Sequence, residues 1–403
     1  MNAVMQREDL IPQDRLSLYS ILLLTGFVTL LTVAAVHVYP TWDDGRILVL
    51  IRESGLAAIQ TNYGDRPIFA FLLTTLFNHH LLFPVGILFH WLSWVAMGLI
   101  TMHLWRLMFP SYSKLALLPA LLSVAPVLCK VQFVLLTIVF LCLLGPVLTF
   151  LGTFLLLKDY SSGKRRTLAI VSGLALIIFS VLLSQYSISA AAIGFVLLIA
   201  KAIRNKKAGR HQTMIVTLLF AVGVVSAFLV FSQIATTSPE FRPSFALQSF
   251  RTIELAPFRL VSALYQGTIG VFLQALGGVT LASKRAVLGF ISGLTMCGLV
   301  AALYRTGGND ISFRDHLPSV ITLLVAAILA LIPLVLMDRT PGPGWDSRFW
   351  LPLLPVLSTL TVFGLLYVVR GRLWLLAPIL CGFLAGYWAI IEAANAFSNP
   401  GGY

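Results

Sequence analysis

Residues 131–157 read VQFVLLTIVFLCLLGPVLTFLGTFLLL, and this stretch decides the fold. It carries no charged side chain, and its apolar residues do not alternate with polar ones at the period of two that a barrel strand needs. A spanning helix takes roughly 20 mainly apolar residues. Within lipid the backbone polar groups must be paired inside the segment or inside a closed barrel. With the barrel pattern absent, helices remain. The rest of the chain agrees: of 403 residues, 58% are hydrophobic and 11% charged, against about 25% charged in a soluble domain. So little charge cannot cover a surface that faces water. The sequence therefore predicts an all-α polytopic membrane helix bundle, residues 1–403 forming a single transmembrane domain with no separate soluble domain.

Working outward, the first apolar run, 16–38, is too long for the apolar core of a signal peptide and lacks a clear cleavage site. It reads as a retained first span. Cys129, Cys142, Cys297 and Cys381 sit in apolar runs without CxxC or Cys/His spacing, so they read as small core residues. The net charge of +13 raises nucleic acid as a partner. Its distribution excludes that partner, because the cations cluster in short loops between apolar runs with no interleaved aromatics.

Those clusters set the predicted topology. Arg106 with Lys114, Lys158 with Lys164 to Arg166, the group Lys201 to Arg210, and Arg370 with Arg372 should all be cytoplasmic. Runs 115–132 and 136–157, then 167–184 and 187–200, pair up between these anchors. Run 67–78 is too short to span and reads as a half-helix feeding the span 81–105. Later, 213–232, 286–303 and 317–336 span. The glycine-rich run 261–281 reads as re-entrant or interfacial, since a full crossing there would put Arg370 and Arg372 outside. The expectation is about 11 spans of this length, with outer loops at 40–66, 233–260 and 338–350.

These outer loops hold Asp43, Asp44, Glu53, Asp65, Glu240, Glu254, Asp338 and Asp346, out of 15 acids in the chain. The first reads Tyr39-Pro40-Thr41-Trp42-Asp43-Asp44-Gly45-Arg46, continues as an amphipathic stretch to Gln60, and closes on Asp65-Arg66-Pro67. Arg46, Glu53 and Gln60 recur at sevens, with Ile47, Ile51 and Ala58 near the opposite face. A helix of that kind lies on the membrane surface. Taken alone, an Asp-Asp pair is more often a solvated turn or a helix cap. Its place at a membrane exit, before a surface helix and a second charged knot, points to function.

The pattern resembles the GT-C superfamily, membrane glycosyltransferases that use polyprenyl-phosphate-linked sugars. Asp43-Asp44 resembles the acidic signature after the first span of those proteins, and Asp65-Arg66-Pro67-Ile68 the charged segment that opens the next. Ser347-Arg348-Phe349-Trp350-Leu351-Pro352 is similar to a late motif in which a cation and an aromatic precede Leu-Pro. The chain departs from many members in having no large soluble C-terminal domain. Its second acid is Asp rather than Glu, which leaves open which of the pair is catalytic.

The resemblance implies that a sugar passes from a polyprenyl-phosphate donor to a glycan, lipid or protein acceptor at the extracytoplasmic face of a cell membrane. Asp43 or Asp44 would be the general base, and arginines would bind the donor phosphate. Such a base typically contributes about 10²–10⁴-fold, and cations stabilise the charge that grows on the leaving phosphate. The candidate donor-binding residues are Asp65, Arg66, Arg348, Arg242, Arg251, Arg259 and Lys130, and also Lys284 with Arg285 if 261–281 is re-entrant. Each cation taken singly is more often an ordinary interfacial anchor, and Arg348 leads because it alone also fits a family motif. A Mg²⁺ or Mn²⁺ held by Asp43, Asp44 and a diphosphate would suit hard-oxygen chemistry, and the residues leave metal dependence open. His79 and His80 are adjacent and cannot form an i, i+4 metal pair. His90 and His103, among Trp91, Trp94 and Trp105, read as interfacial packing. The rival readings are a transporter or flippase of lipid-linked glycans, an oligosaccharide polymerase or ligase, and a non-catalytic membrane partner. The first would carry ionisable residues and repeat symmetry within its spans, which this sequence lacks.

Overall fold

The computed structural model describes residues 13–37, 48–49, 52–53, 67–125, 142–158, 163–184, 186–205, 207–237, 313–337 and 351–368, with the single positions Ile379, Phe383, Ala385 and Gly386. The described residues form helices and no strand. In chain order these are α1 (Gln13–His37), α2 (Pro67–Asn78), α3 (Leu82–Met108), a 3₁₀ turn (Pro110–Ala116), α4 (Leu117–Val124), α5 (Leu144–Leu157), α6 (Gly163–Leu183), α7 (Ser187–Arg204), α8 (Lys207–Thr237), α9 (Phe313–Met337) and α10 (Leu354–Val368). Among the described residues four stretches are long and apolar enough to cross a membrane: Leu82–Met108, Gly163–Leu183, Ser187–Arg204 and Gly209–Val230. These are the features of a helical membrane protein.

Proline placement accounts for several helix ends. Pro67 opens α2, and Pro84, Pro146 and Pro355 fall in the first turns of α3, α5 and α10. There the missing N–H is one that the helix leaves unpaired anyway. At Ala125 the backbone turns extended, with ψ 146°, because a residue before proline, here Pro126, is driven out of the helical region. That stops α4 at Val124, short of the span predicted to run to 132. The described part of α5 begins at Leu144, after a π-type turn at Cys142–Leu143, and the earlier part of the run predicted from 136 lies outside the described residues. In contrast, α8 continues past 232 to Thr237, into the predicted outer loop. The short feeding helix at 67–78 is present, 12 residues long. That is about 18 Å, against a hydrocarbon core of roughly 30 Å.

Between α2 and α3 the chain reverses in a Schellman turn. The His80 N–H donates to the Phe77 carbonyl at 3.0 Å and the Leu81 N–H to the Leu76 carbonyl at 2.9 Å. His80 takes the left-handed conformation, φ 56°, that this turn requires and that glycine usually supplies. It is therefore a capping residue of α2.

Contacts give the direction of each helix. Thr32 pairs with His90, Trp91 donates to Thr29, and Leu24 lies over Gly98, so α1 and α3 are antiparallel. Thr101 donates to Ser123, which turns α4 back along α3. The pair Thr149 and Ser180 sets α5 antiparallel to α6. Lys201 donates to the Leu157 carbonyl, so α5 and α7 end together. Arg166 donates to Gln212, so α6 and α8 start together. Finally, Ser319 near the start of α9 meets Met108 and Arg204 at the ends of α3 and α7. One end of the bundle thus gathers Arg106, Lys158, Lys164, Arg165, Arg166, Lys201, Arg204 and Arg210, the cations that the sequence assigned to one side. His90 is a correction: it is fully buried against α1, with its Nδ1 3.0 Å from the Thr32 hydroxyl, and not interfacial. His103 is exposed and rests edge-on against Phe154.

Without water inside the bilayer, buried hydroxyls need partners in the protein. Thr101, Thr153, Thr217 and Thr359 each donate to the carbonyl four residues earlier. Among the described glycines, the closest backbone-to-backbone approach of two helices is between α5 and α6. A Cβ placed on Gly152 would stand 2.6 Å from the Gly173 carbonyl oxygen, and one on Gly173 would stand 2.9 Å from that of Gly152. Small residues at such crossings let backbones approach closely, the usual device of helix pairs in lipid. Gly152→Ala should therefore lower the thermal unfolding temperature of the detergent-solubilised protein, at a cost of about 1–3 kcal/mol. Gly26→Ala, where nothing lies within 4 Å, should leave it unchanged or slightly raised. Equal losses in the two variants would remove the crossing as the cause.

Candidate functional site

The candidate residues from the sequence, Asp43, Asp44, Asp65, Arg66, Lys130, Arg242, Arg251, Arg259 and Arg348, with Lys284 and Arg285, lie outside the described residues. What the structure defines is the set of helix ends to which their segments attach. The end opposite the cationic one is formed by the last residues of α1, α6, α8 and α9 and the first residues of α3, α5 and α7; α4 stops short of it, beside Thr101 in the cationic half of α3, and α10 runs toward the cationic end, where Phe363 meets Phe109. In the chain, Asp43 and Asp44 follow α1. Lys130 falls between α4 and α5, Arg242 follows α8, and Arg348 falls between α9 and α10. Asp65 and Arg66 immediately precede Pro67, the first residue of α2, which leads into the start of α3.

These flanks are not equally close to one another. The helix α3 packs against α1, α4 and α10. So the helices that precede Asp43-Asp44 and Lys130, and the one that follows Arg348, share a single neighbour. Phe109 stacks on Phe363 at 4.5 Å and tilts against Trp105 at 4.9 Å, holding α10 along α3. The helix that leads to Arg242, Arg251 and Arg259 is α8, and it packs on α6 and α7. The described framework gathers α1 and α10 on α3 and holds α8 elsewhere, against α6 and α7.

Of the predicted surface helix in the first outer loop, Leu48, Val49, Arg52 and Glu53 are described, and they are helical. Leu48 is half-buried against the core, while Arg52 and Glu53 are exposed. Val49 is exposed as well, and the other residues that define the predicted faces, Arg46, Ile47, Ile51, Ala58 and Gln60, lie outside the described residues.

At the cationic end the structure assembles a junction that sequence reading missed. Arg204 donates to the Ser319 hydroxyl at 3.4 Å, and Ser319 donates to the Met108 carbonyl at 2.8 Å. The His316 ring sits among Phe109, Tyr112 and Phe363, at centroid distances of 5.5, 5.3 and 5.7 Å. Trp105 donates its indole N–H to the Tyr112 carbonyl at 2.7 Å. A cleft of about 510 Å³ opens beside these residues, with exposed Asp315 at its edge. Nothing local in the sequence signals this meeting, because its members come from four separate segments. Its chemistry is that of a structural lock: each polar group is tied to a neighbouring helix, and the histidine is held by rings. Among the described residues no three His, Cys, Asp or Glu side chains come together as metal ligands would.

No protein-family description, curated protein or solved structure matches the chain.

Single cysteines at three positions test the arrangement of ends, in a background lacking Cys129, Cys142, Cys297 and Cys381. Lys206→Cys should react with an impermeant thiol reagent from one side of sealed vesicles, and Asp44→Cys and Arg348→Cys from the other. Labelling of all three from one side would contradict the directions of α1, α9 and α10.

Proposed function

We propose that this chain is a membrane glycosyltransferase of the GT-C kind, moving a sugar from a polyprenyl-phosphate donor to an acceptor at the extracytoplasmic face. The observation that carries the reading is the convergence of α1, α4 and α10 on α3. The segment with Asp43-Asp44 follows α1, whose last residues lie away from the cations, and the segment with Arg348 precedes α10, which runs toward them. By the positive-inside rule the cationic end faces the cytoplasm, and this reading puts the acidic pair and Arg348 on the other side. A charged residue at the membrane edge is costly unless it meets a partner or a ligand. An acidic pair and an arginine on converging flanks fit a substrate that carries both a hydroxyl to be deprotonated and a phosphate to be held.

In this reading one carboxylate of the pair takes the proton from the acceptor hydroxyl as its oxygen attacks the anomeric carbon. The bond from that carbon to the phosphate oxygen breaks, and the electron pair leaves with the lipid phosphate. Arg348, aided by Arg66, stabilises the charge on the departing phosphate. The bundle supplies a rigid frame, so the reacting groups pay little ordering entropy at the moment of transfer. Arg242, Arg251 and Arg259 rank behind Arg348 as donor ligands, because Arg348 alone also fits a family motif.

Asp43→Asn and Asp44→Asn decide the matter in membranes supplied with a panel of labelled polyprenyl-phosphate sugars. One of the two should reduce label transfer by about 10² or more, with expression and elution in detergent unchanged. Arg348→Ala should raise the donor KM by about 10–100-fold, the worth of a hydrogen bond to a charged group. Full transfer in both single Asp variants and in the double variant would overturn the reading in favour of a transporter or an assembly partner.

A further inference from the structure

At the cationic end, four helices surround a small polar pocket of about 90 Å³. Lys158 follows α5, Arg166 stands in the first turn of α6, and Lys201 in the last turn of α7. Asn205, Gln212 and Thr213 complete its polar lining. The cations are held in position: Lys201 donates to the Leu157 carbonyl, Arg166 to the Gln212 side-chain oxygen, and Asn205 to the Thr213 hydroxyl at 3.0 Å. Among the described residues no carboxylate lines this pocket. Three positive side chains from three helices thus face one small volume with amide and hydroxyl groups beside them, which is the lining a phosphate needs.

Beside it runs a second cavity, of opposite character. A groove of about 770 Å³ lies between α3 and α5, with Leu176 of α6 at its side. Leu99, Ile100, Leu151 and Phe154 are among its walls. Leu155 and Lys158 line both the groove and the pocket, so the apolar volume leads directly to the cations. A hydrocarbon chain ending in an anionic head has this shape and this division of polarity. The cationic end faces the cytoplasm by the positive-inside rule, and the inner leaflet is where acidic phospholipids meet basic pockets between helices.

We propose that this composite cavity binds an anionic glycerophospholipid of the cytoplasmic leaflet, its phosphate among Lys158, Arg166 and Lys201 and one acyl chain in the groove between α3 and α5. The site is at the opposite end of the bundle from the transfer chemistry and does not depend on that reading. Bound lipid would tie α3 to the α5–α6–α7 group across a groove that protein atoms do not fill. A cation near the membrane surface is worth roughly fivefold in affinity for acidic lipid, and three of them roughly a hundredfold.

The test uses the purified full chain in a neutral detergent. Phosphatidylglycerol should be retained in native mass spectrometry and should raise the unfolding temperature, and phosphatidylcholine with the same chains should do neither. Lys158→Gln, at an exposed position with no helix built on it, should weaken phosphatidylglycerol binding about fivefold. The triple variant Lys158→Gln, Arg166→Gln and Lys201→Gln should abolish the lipid-specific shift. A control triple variant at the same end, Lys164→Gln, Arg165→Gln and Arg210→Gln, should keep it. The proposal is overturned if phosphatidylcholine matches phosphatidylglycerol, if the control triple loses the shift as fully as the pocket triple, or if Lys158→Gln binds like the parent protein. It is also overturned if inorganic phosphate alone reproduces the stabilisation, which would make the pocket a site for a free anion.

Discussion

The approach of α5 to α6 at Gly152 and Gly173 is the contact on which the rest of the described bundle depends. In lipid there is no hydrophobic gain from pressing two apolar helices together, so close packing and hydrogen bonds must hold them. Neither glycine leaves room for a Cβ against the other's carbonyl. One side of this crossing holds the bond between Thr149 and Ser180, 2.6 Å long, and the bond from Ser187 to the Ser180 carbonyl, 2.8 Å. Thr153 fits against Gly194, where a Cβ would stand 2.5 Å from its hydroxyl oxygen. So α5, α6 and α7 form one unit, joined through small residues and hydroxyls rather than through bulky side chains.

At the cationic end, a fixed α5–α6–α7 group brings Lys158, Arg166 and Lys201 to a common pocket and lets Arg204 reach Ser319 on α9. Beside this group, the other half of the bundle has its own post in α3, which reaches both ends. It carries α1 through Thr32 and Thr29, α4 through Thr101 and Ser123, and α10 through Phe109 and Phe363. The two halves meet where His103 rests on Phe154, with the apolar groove alongside. This division leaves two helix groups with an apolar groove between them.

The sequence made the helical membrane class legible, because a run such as 131–157 admits no other solution in lipid. It also showed the short feeding helix at 67–78, the brief span ending at Arg204, and the grouping of the cations at one end, since length and charge are local properties. Helix ends were harder to read. Hydropathy continued through Pro126, yet the backbone before that proline leaves the helical region and α4 stops at Val124. His90 looked interfacial beside its tryptophans, whereas a threonine 58 residues earlier buries and pairs it. The turn at His80 carried no glycine to announce it. Of the candidate site, the acidic pair and Arg348 were named from short motifs, and no spacing within those motifs says which candidates come together.

By itself, then, the sequence determined the class of protein, the side on which the cations gather and the residue types available for chemistry. Each follows from composition and from the cost of exposing polar groups to lipid, and neither depends on which helices touch. Only the tertiary structure decided the neighbours: α1, α4 and α10 around α3, α8 on the far side against α6 and α7, and Lys158, Arg166 and Lys201 around one pocket. The physical reason is that helix pairing in a membrane is chosen by shape. Many apolar faces are equally greasy, and the position of a glycine or a hydroxyl on one helix has meaning only against the surface that meets it.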